Sequence, residues 1–375
     1  PGVASSSAQL ATDISGSHTS GFEFTGTIGT TIGAWAAGGA KPQSVQYGGG
    51  AGIQNAHISF NGRQPTPTGN TCTEHYNGSS WSAGGSMICA RRGMGSTGTE
   101  YAALGFAGYV PSSPKLTNHT EEYYGQTWAA GGNMITARAH GHAGAGLQTS
   151  ALAVGGYNLT GGVTNGRTGC TEEYNGTSWA AGGDLNVEKS DTMTAGSQNA
   201  ALNTGGLTRA HANDQCNCTE HYDGSVWSSV TGHITTRKQG GLGGTQNSAF
   251  FGGGREVPSP YFSTCTEHYD GTAWSAGGAT SITRKAASAA GSENSALVAG
   301  SDGTLATEEY DGSVWSSGGT LNDLHRCAAN ATGTQAAGLY FGGAHPSTNT
   351  TCTEHYDSYH LKTGGTCIEH IRTTS

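Results

Sequence analysis

Along most of the chain, short runs of small apolar residues alternate with polar, glycine-rich stretches, and none shows the three-to-four-residue spacing of an amphipathic helix. One such run is Ala151-Leu152-Ala153-Val154, which ends in Gly155-Gly156. After a variable stretch come Thr171-Glu172-Glu173-Tyr174, then Asn175-Gly176, then Trp179. The apolar run reads as a strand packed between neighbours. The Asn-Gly pair predicts a hairpin whose two central residues both accept positive φ. The strand opening at Trp128 is expected to run through Gly131-Gly132 to end near Arg138.

This unit repeats. Copies of the nine residues 219–227, Thr-Glu-His-Tyr-Asp-Gly-Ser-Val-Trp, stand at 73–81, 120–128, 171–179, 266–274 and 307–315. Trp35 has no Thr-Glu-x-Tyr before it, and Thr353-Glu354-His355-Tyr356 has no Trp after it. The chain thus begins with the second half of a unit and ends with the first half, as a closed ring must when written in one dimension. Trp35, Trp81, Trp128, Trp179, Trp227, Trp274 and Trp315 lie 41–51 residues apart. Seven repeats at this period, with hairpin signals and no helix, predict an all-β, seven-bladed propeller of four-stranded blades. The Gly-Gly mark recurs at Gly205-Gly206, Gly252-Gly253 and Gly342-Gly343, degraded at Asn61-Gly62, Ala107-Gly108 and Ala299-Gly300. The propeller is placed at 31–357, with an extension at 1–30 and a tail at 358–375.

Composition narrows the function classes. With 64 Gly and 11% charged residues among 375, the chain is poor in both charge and apolar side chains, yet it carries 7 Trp and 15 Tyr at regular spacing. Disordered chains are usually the reverse, highly charged and short of aromatics. The net charge is −9 and the 17 Lys and Arg are scattered, so there is no basic stripe for nucleic acid. No stretch approaches the roughly 20 apolar residues of a membrane helix. Neither nucleic acid nor a membrane is an expected partner.

Several polar residues recur in register. Glu74, Glu121, Glu172, Glu220, Glu267, Glu308 and Glu354 share one repeat position. Arg91, Arg138, Lys189, Arg237 and Arg284 each follow a Trp by ten residues, with His325-Arg326 at the sixth turn. A carboxylate and a cation in register suggest one ion pair or hydrogen-bond set per blade. Gln54, Glu100, Gln148, Gln198, Gln246, Glu293 and Gln335 read as blade-to-blade hydrogen-bonding residues. His75, His221, His268 and His355 exchange with Glu122, Glu173 and Glu309, which suits a solvent-facing position.

Five of the nine cysteines (Cys72, Cys170, Cys218, Cys265, Cys352) precede the recurring Thr-Glu and are expected as buried thiols. Cys216 and Cys218 are poor partners for each other, and a Cys352–Cys367 bridge is possible. Cys-Thr-Glu-His invites a zinc reading, but strand residues three apart point to opposite faces, so no metal is assigned. Candidate glycosylation sites are Asn118, Asn158, Asn217, Asn330 and Asn349; Asn77 and Asn175 match the pattern only through their turns. In the extension, Phe22, Phe24 and Ile28 alternate like an exposed strand, for pairing with another subunit or for lying along its own first blade.

An apolar run, Gly-Gly, Tyr and Trp at fixed offsets resemble the kelch repeat over about residues 35–357. The resemblance implies that the Trp strand is outermost in each blade, and so that the Trp35 strand closes the ring against 353–356. The Gly/Ala/Thr-rich copy at 173–183 is similar to kelch-like arrays in bacteriophage virion proteins such as tail fibres and appendages. That implies a non-enzymatic structural and recognition module of a virion or extracellular assembly. Variable loops around 61–70, 110–119, 161–169 and 255–264 would meet a carbohydrate or protein partner, with Tyr109 and Tyr261 as candidates for stacking on sugars. The alternative is a filament or surface-layer protomer joined by strand donation from 1–30, with self-assembly or other virion or surface proteins as partners. Kelch folds include enzymes, but no cluster breaks the repeat symmetry, so no catalytic or cofactor-binding residue is assigned.

Overall fold

The computed structural model describes residues 32–359 except 64–69, 112–114, 140–142, 159–165, 209–214, 239, 257–261, 285–287, 302, 324–329 and 343–349. The extension with Phe22, Phe24 and Ile28, and the tail with Cys367, lie outside the described residues. Residues Ile32–Tyr359 form one compact unit.

In the third blade, strands Ala143–Leu147, Ser150–Val154, Thr171–Tyr174 and Trp179–Ala181 pair antiparallel in that order. Six further four-stranded sheets repeat the plan, all without helices, giving a seven-bladed β-propeller. Each inner strand lies against those of the two adjacent blades, Gly49–Ile53 of the first against Asn330–Thr334 of the seventh included. Small side chains are required there: a Cβ on Gly241 would sit 2.3 Å from Ala289 of the next blade. The seventh blade takes its outer strand from the other end of the chain. Ile32–Ala37 pairs with Thr353–Tyr359, and Trp35 stands opposite Tyr356.

The core lies between blades. Ile58 and Phe60 of the first blade cluster with Tyr123 and Trp128 of the second, and Leu104 and Phe106 of the second with Tyr174 and Trp179 of the third. Phe60 meets Trp128 at 4.8 Å and Phe106 meets Trp179 at 5.0 Å, edge-on or tilted as aromatic pairs prefer.

Local details differ from the sequence reading. The turn before each Trp from Trp81 onward is a four-residue loop in which only glycine has positive φ, as at Gly224 (91°) and Gly176 (87°). Asp223 keeps an ordinary φ because its Oδ1 accepts the Ser225 and Val226 amides, both at 2.9 Å. The strand at Trp128 stops at Ala130, with the Gly131 amide still bonded to Thr120 O just beyond it. The left-handed residue after the second strand is Gly253 in the fifth blade (φ 63°) and Gly300 in the sixth (φ 61°), one place later than the sequence register put them. Cys216 and Cys218, expected not to pair, bring their sulfur atoms together. Their Cα atoms are 5.2 Å apart because Cys216 precedes the strand that starts at Thr219, so the chain there is not extended. Cys72, Cys170, Cys265 and Cys352 are free and half-buried.

Candidate functional site

Each residue of the Thr-Glu-x-Tyr strand has a separate partner, and three of the four partners belong to an adjacent blade. The threonine hydroxyl accepts the indole N–H of the next blade's tryptophan. All seven bonds are present at 2.7–3.0 Å, from Thr73–Trp128 and Thr120–Trp179 round to Thr307–Trp35 and Thr353–Trp81.

The glutamate turns to the connection that enters its own blade. Glu121 accepts the Ile88 amide at 2.6 Å and Arg91 Nη2 at 2.9 Å; Glu172 does the same for Ile135 and Arg138. Arg237–Glu267 and Arg284–Glu308 repeat the pair with guanidiniums fully removed from solvent. Arg91 also donates to the carbonyls of Gly105, Ala107 and His119, which supplies the partners a buried cation requires. Lys41, which the spacing did not single out, pairs with Glu74 in the first blade. Lys189 takes the role beside Glu220 at 3.3 Å, and burial pulls its ammonium down to about 8 against the opposing effect of Glu220. Glu354 accepts the Asn322 and Asp323 amides.

The third position corrects the sequence reading. Apart from His221, these His and Glu residues are turned to the next blade, where they bond its tyrosine hydroxyl. His75 Nε2 meets Tyr123 at 2.6 Å, Glu122 accepts from Tyr174 at 2.8 Å, Glu173 from Tyr222, His268 meets Tyr310 at 2.6 Å, Glu309 accepts from Tyr356 at 2.8 Å, and His355 meets Tyr76 at 3.1 Å. The Gln row completes the junction. Gln148 Nε2 reaches back to Ala103 O and Tyr123 O, and Gln54, Gln198, Gln246 and Gln335 act alike. Where that row holds Glu100 or Glu293, the facing residue is His75 or His268, so two carboxylates never meet. In the sequence this is visible as a His at the facing position wherever the Gln row holds Glu.

The glycine three residues after each Trp has a matching cause. A Cβ on Gly131 would lie 2.7 Å from the Tyr174 hydroxyl, and one on Gly182 2.5 Å from that of Tyr222. In the fourth blade this position is Val230. There the Tyr269 hydroxyl and His221 Nε2 have no hydrogen-bond partner, and the two rings meet only edge-on at 5.2 Å.

The antiparallel order puts two faces on the ring. One carries the uniform short turns, including Asn55 beside Gly78. The other carries the connections from second to third strand. These range from the tight turn between Ser301 and Thr304 to the stretch between Val154 and Thr171. Tyr109 on this face is half-buried under Arg92, 5.9 Å from its ring, and Tyr261 lies outside the described residues. Asn118 Nδ2 donates to Met134 O at 2.8 Å and Asn217 Nδ2 to His233 O at 3.0 Å, so both sequon amides tie a loop to the adjoining connection. Asn158 donates its backbone amide to Gly166 O. The side chains of Asn330 and Asn349 lie outside the described residues. Among the described residues no group of three or more His, Cys, Asp or Glu is placed to hold a metal, and no helix is long and apolar enough to cross a membrane.

The chain matches no family model and no curated protein. Among solved structures, the one titled "Structure of YjhT" aligns with a TM-score of 0.54 at 13% identity, covering 70% of this chain and 92% of that one. A likeness at that identity speaks for the propeller fold alone.

Proposed function

We propose that this chain is a non-enzymatic structural and recognition module of a virion appendage or extracellular assembly, with its variable face turned to a carbohydrate or protein partner. The observation behind this reading is how the polar repeat is used. Thr, Glu, His/Glu, Tyr, Arg and Gln rows bond one blade or connection to the next, and length variation gathers on the second-to-third-strand face. A ring held by repeated junctions tolerates such variation, and surface loops on a rigid scaffold are where binding specificity usually resides. The kelch-like, glycine-rich repeat that this sequence resembles points to virion proteins as the setting.

The test is a glycan array and a surface-protein pull-down with the full chain. The same assays use a variant in which the stretch between Gly156 and Thr168 is replaced by the two residues Asp302-Gly303 of the sixth blade. Binding lost in the variant while the ring stays folded is the expected result; a bound partner indifferent to exchange of every long loop would sink the reading.

A further inference from the structure

Of the seven junctions, two set histidine against glutamate, and the turn residue beside the imidazole differs between them. In the first, His75 Nδ1 lies 3.1 Å from Glu100 Oε1, and Tyr101 stacks beside the imidazole at 5.6 Å. In the second, Asn294 stands where Tyr101 would be. A groove of about 430 Å³ opens there between the fifth and sixth blades, lined by His268, Gly277, Glu293, Asn294, Tyr310 and Ser313. That volume falls within the roughly 300–1,000 Å³ of small-molecule sites.

The polar atoms at its floor are specific. His268 is 8% exposed and its Nδ1 makes no hydrogen bond. The nearest carboxylate oxygen, Glu293 Oε1, is 3.8 Å away, beyond bonding distance. Glu293 is held in place by its other oxygen, which accepts the Ser248 hydroxyl at 2.6 Å. A carboxylate oxygen facing Nδ1 favours the tautomer with the ring hydrogen there, and Tyr310 Oη, which accepts the Gly278 amide, donates to His268 Nε2 in that tautomer. Burial holds the imidazole below its usual range, in the neutral form, against the pull of Glu293.

A donor and an acceptor separated by this gap select the chemistry of what fits between them. The bridging group must accept from Nδ1–H and donate to a carboxylate. A hydroxyl does both, an ammonium cannot accept, and a carboxylate or phosphate is repelled by Glu293. We propose that the groove between the fifth and sixth blades binds a sugar ring. One hydroxyl would bridge His268 and Glu293, and its neighbours would bond the Asn294 amide and the Ser313 hydroxyl. The site is on the short-turn face, so it does not depend on the recognition role given to the opposite face.

The experiment is saturation-transfer difference NMR on the full chain with methyl gluco-, galacto- and mannopyranosides, both anomers. Methylammonium and acetate serve as controls. A site with few apolar contacts is expected to bind at least one glycoside with a Kd on the order of 1 mM. Asn294→Tyr sets a ring beside the imidazole as Tyr101 does at the first junction, a placement this fold already accommodates, so that it occupies the groove, and is expected to weaken binding at least about tenfold. Glu293→Gln removes the charge without changing shape and is expected to weaken it to a similar degree, and serves as the reporter if the tyrosine variant fails to fold. The proposal is overturned if no glycoside shows transfer, if binding survives both substitutions, or if methylammonium or acetate binds as well as the sugar.

Discussion

Trp35 donates its indole N–H to Thr307 Oγ1 at 2.7 Å, the same bond that the other six tryptophans make to the preceding blade. Here the two partners lie almost at opposite ends of the ring's sequence. The bond joins the seventh blade's outer strand to the sixth blade, beside contacts of Trp35 with Tyr356 at 5.1 Å and Tyr340 at 6.1 Å. Trp35→Phe and Thr307→Val are each expected to cost about 1 kcal/mol, with the double variant less destabilised than the sum by a similar amount, since removing both partners leaves no unpaired group. Urea unfolding of the four proteins measures this; strict additivity would mean that the bond contributes nothing to closure.

Lys189 occupies a position that holds arginine in four other blades. The arginines reach two or three carbonyls as well as the carboxylate, whereas Lys189 reaches Glu220 at 3.3 Å and only Cys218 O at 3.5 Å. Lys189→Arg is therefore expected to stabilise the ring by about 1–2 kcal/mol, given about 1.5–3 kcal/mol for a hydrogen bond to a charged group less the strain of a longer side chain. A midpoint in urea that falls or does not move would show that the fourth blade cannot seat a guanidinium.

The period and the Asp-Gly or Asn-Gly turns made the blade count and strand order legible, because seven copies average out the faults of each. The partners were harder to read. Thr171 and Trp227 meet although 56 residues separate them, and a repeat of 41–51 residues does not say whether equivalent rows bond within a blade or across a junction. The reading of His75 and Glu122 as solvent-facing assumed a sheet with one wet face, as an antiparallel sheet commonly has. A propeller blade packs both faces on neighbours, so Thr73 and His75 on one face and Glu74 and Tyr76 on the other are all buried. The open groove at Asn294 was invisible for another reason. It arises where a Glu faces a His and no ring stands beside them, and Asn is the ordinary residue at that turn.

Gly182 and Val230 hold equivalent places, and the junctions they serve predict opposite responses. At Gly182 a new side chain must displace the Tyr222 hydroxyl from Glu173, leaving polar groups without partners. Gly182→Val is expected to destabilise by about 3 kcal/mol, from a lost charged hydrogen bond and local overpacking. Val230→Gly gives back a His221–Tyr269 bond, about 1 kcal/mol plus relief of two unsatisfied groups, but loses valine packing and adds glycine entropy of comparable size. Its thermal midpoint is expected to stay within a few degrees of the parent. Equal and large losses in both variants would mean that the glycine is required only for its backbone, not for the tyrosine it admits.

The buried histidines set the response to acid. His57 and His233 are shielded from water, and burial, with Lys41 beside the first and Arg237 beside the second, holds both down at about 3. Between that value and the unfolded value near 6.5 the folded chain keeps them neutral while the unfolded chain takes up protons. Both contributions are therefore fully present above about 6.5 and are lost progressively as the pH falls toward 3. The slope is about 1.4 kcal/mol per pH unit for each histidine. From pH 6.5 to 5, above the range where most carboxylates titrate, unfolding free energies measured in urea should fall with both histidines contributing. His57→Phe, which keeps the ring packed 5.0 Å from Phe341, should remove one proton's worth of that slope. An unchanged slope in the variant would mean that His57 is already protonated, or already reached by water, in the folded ring.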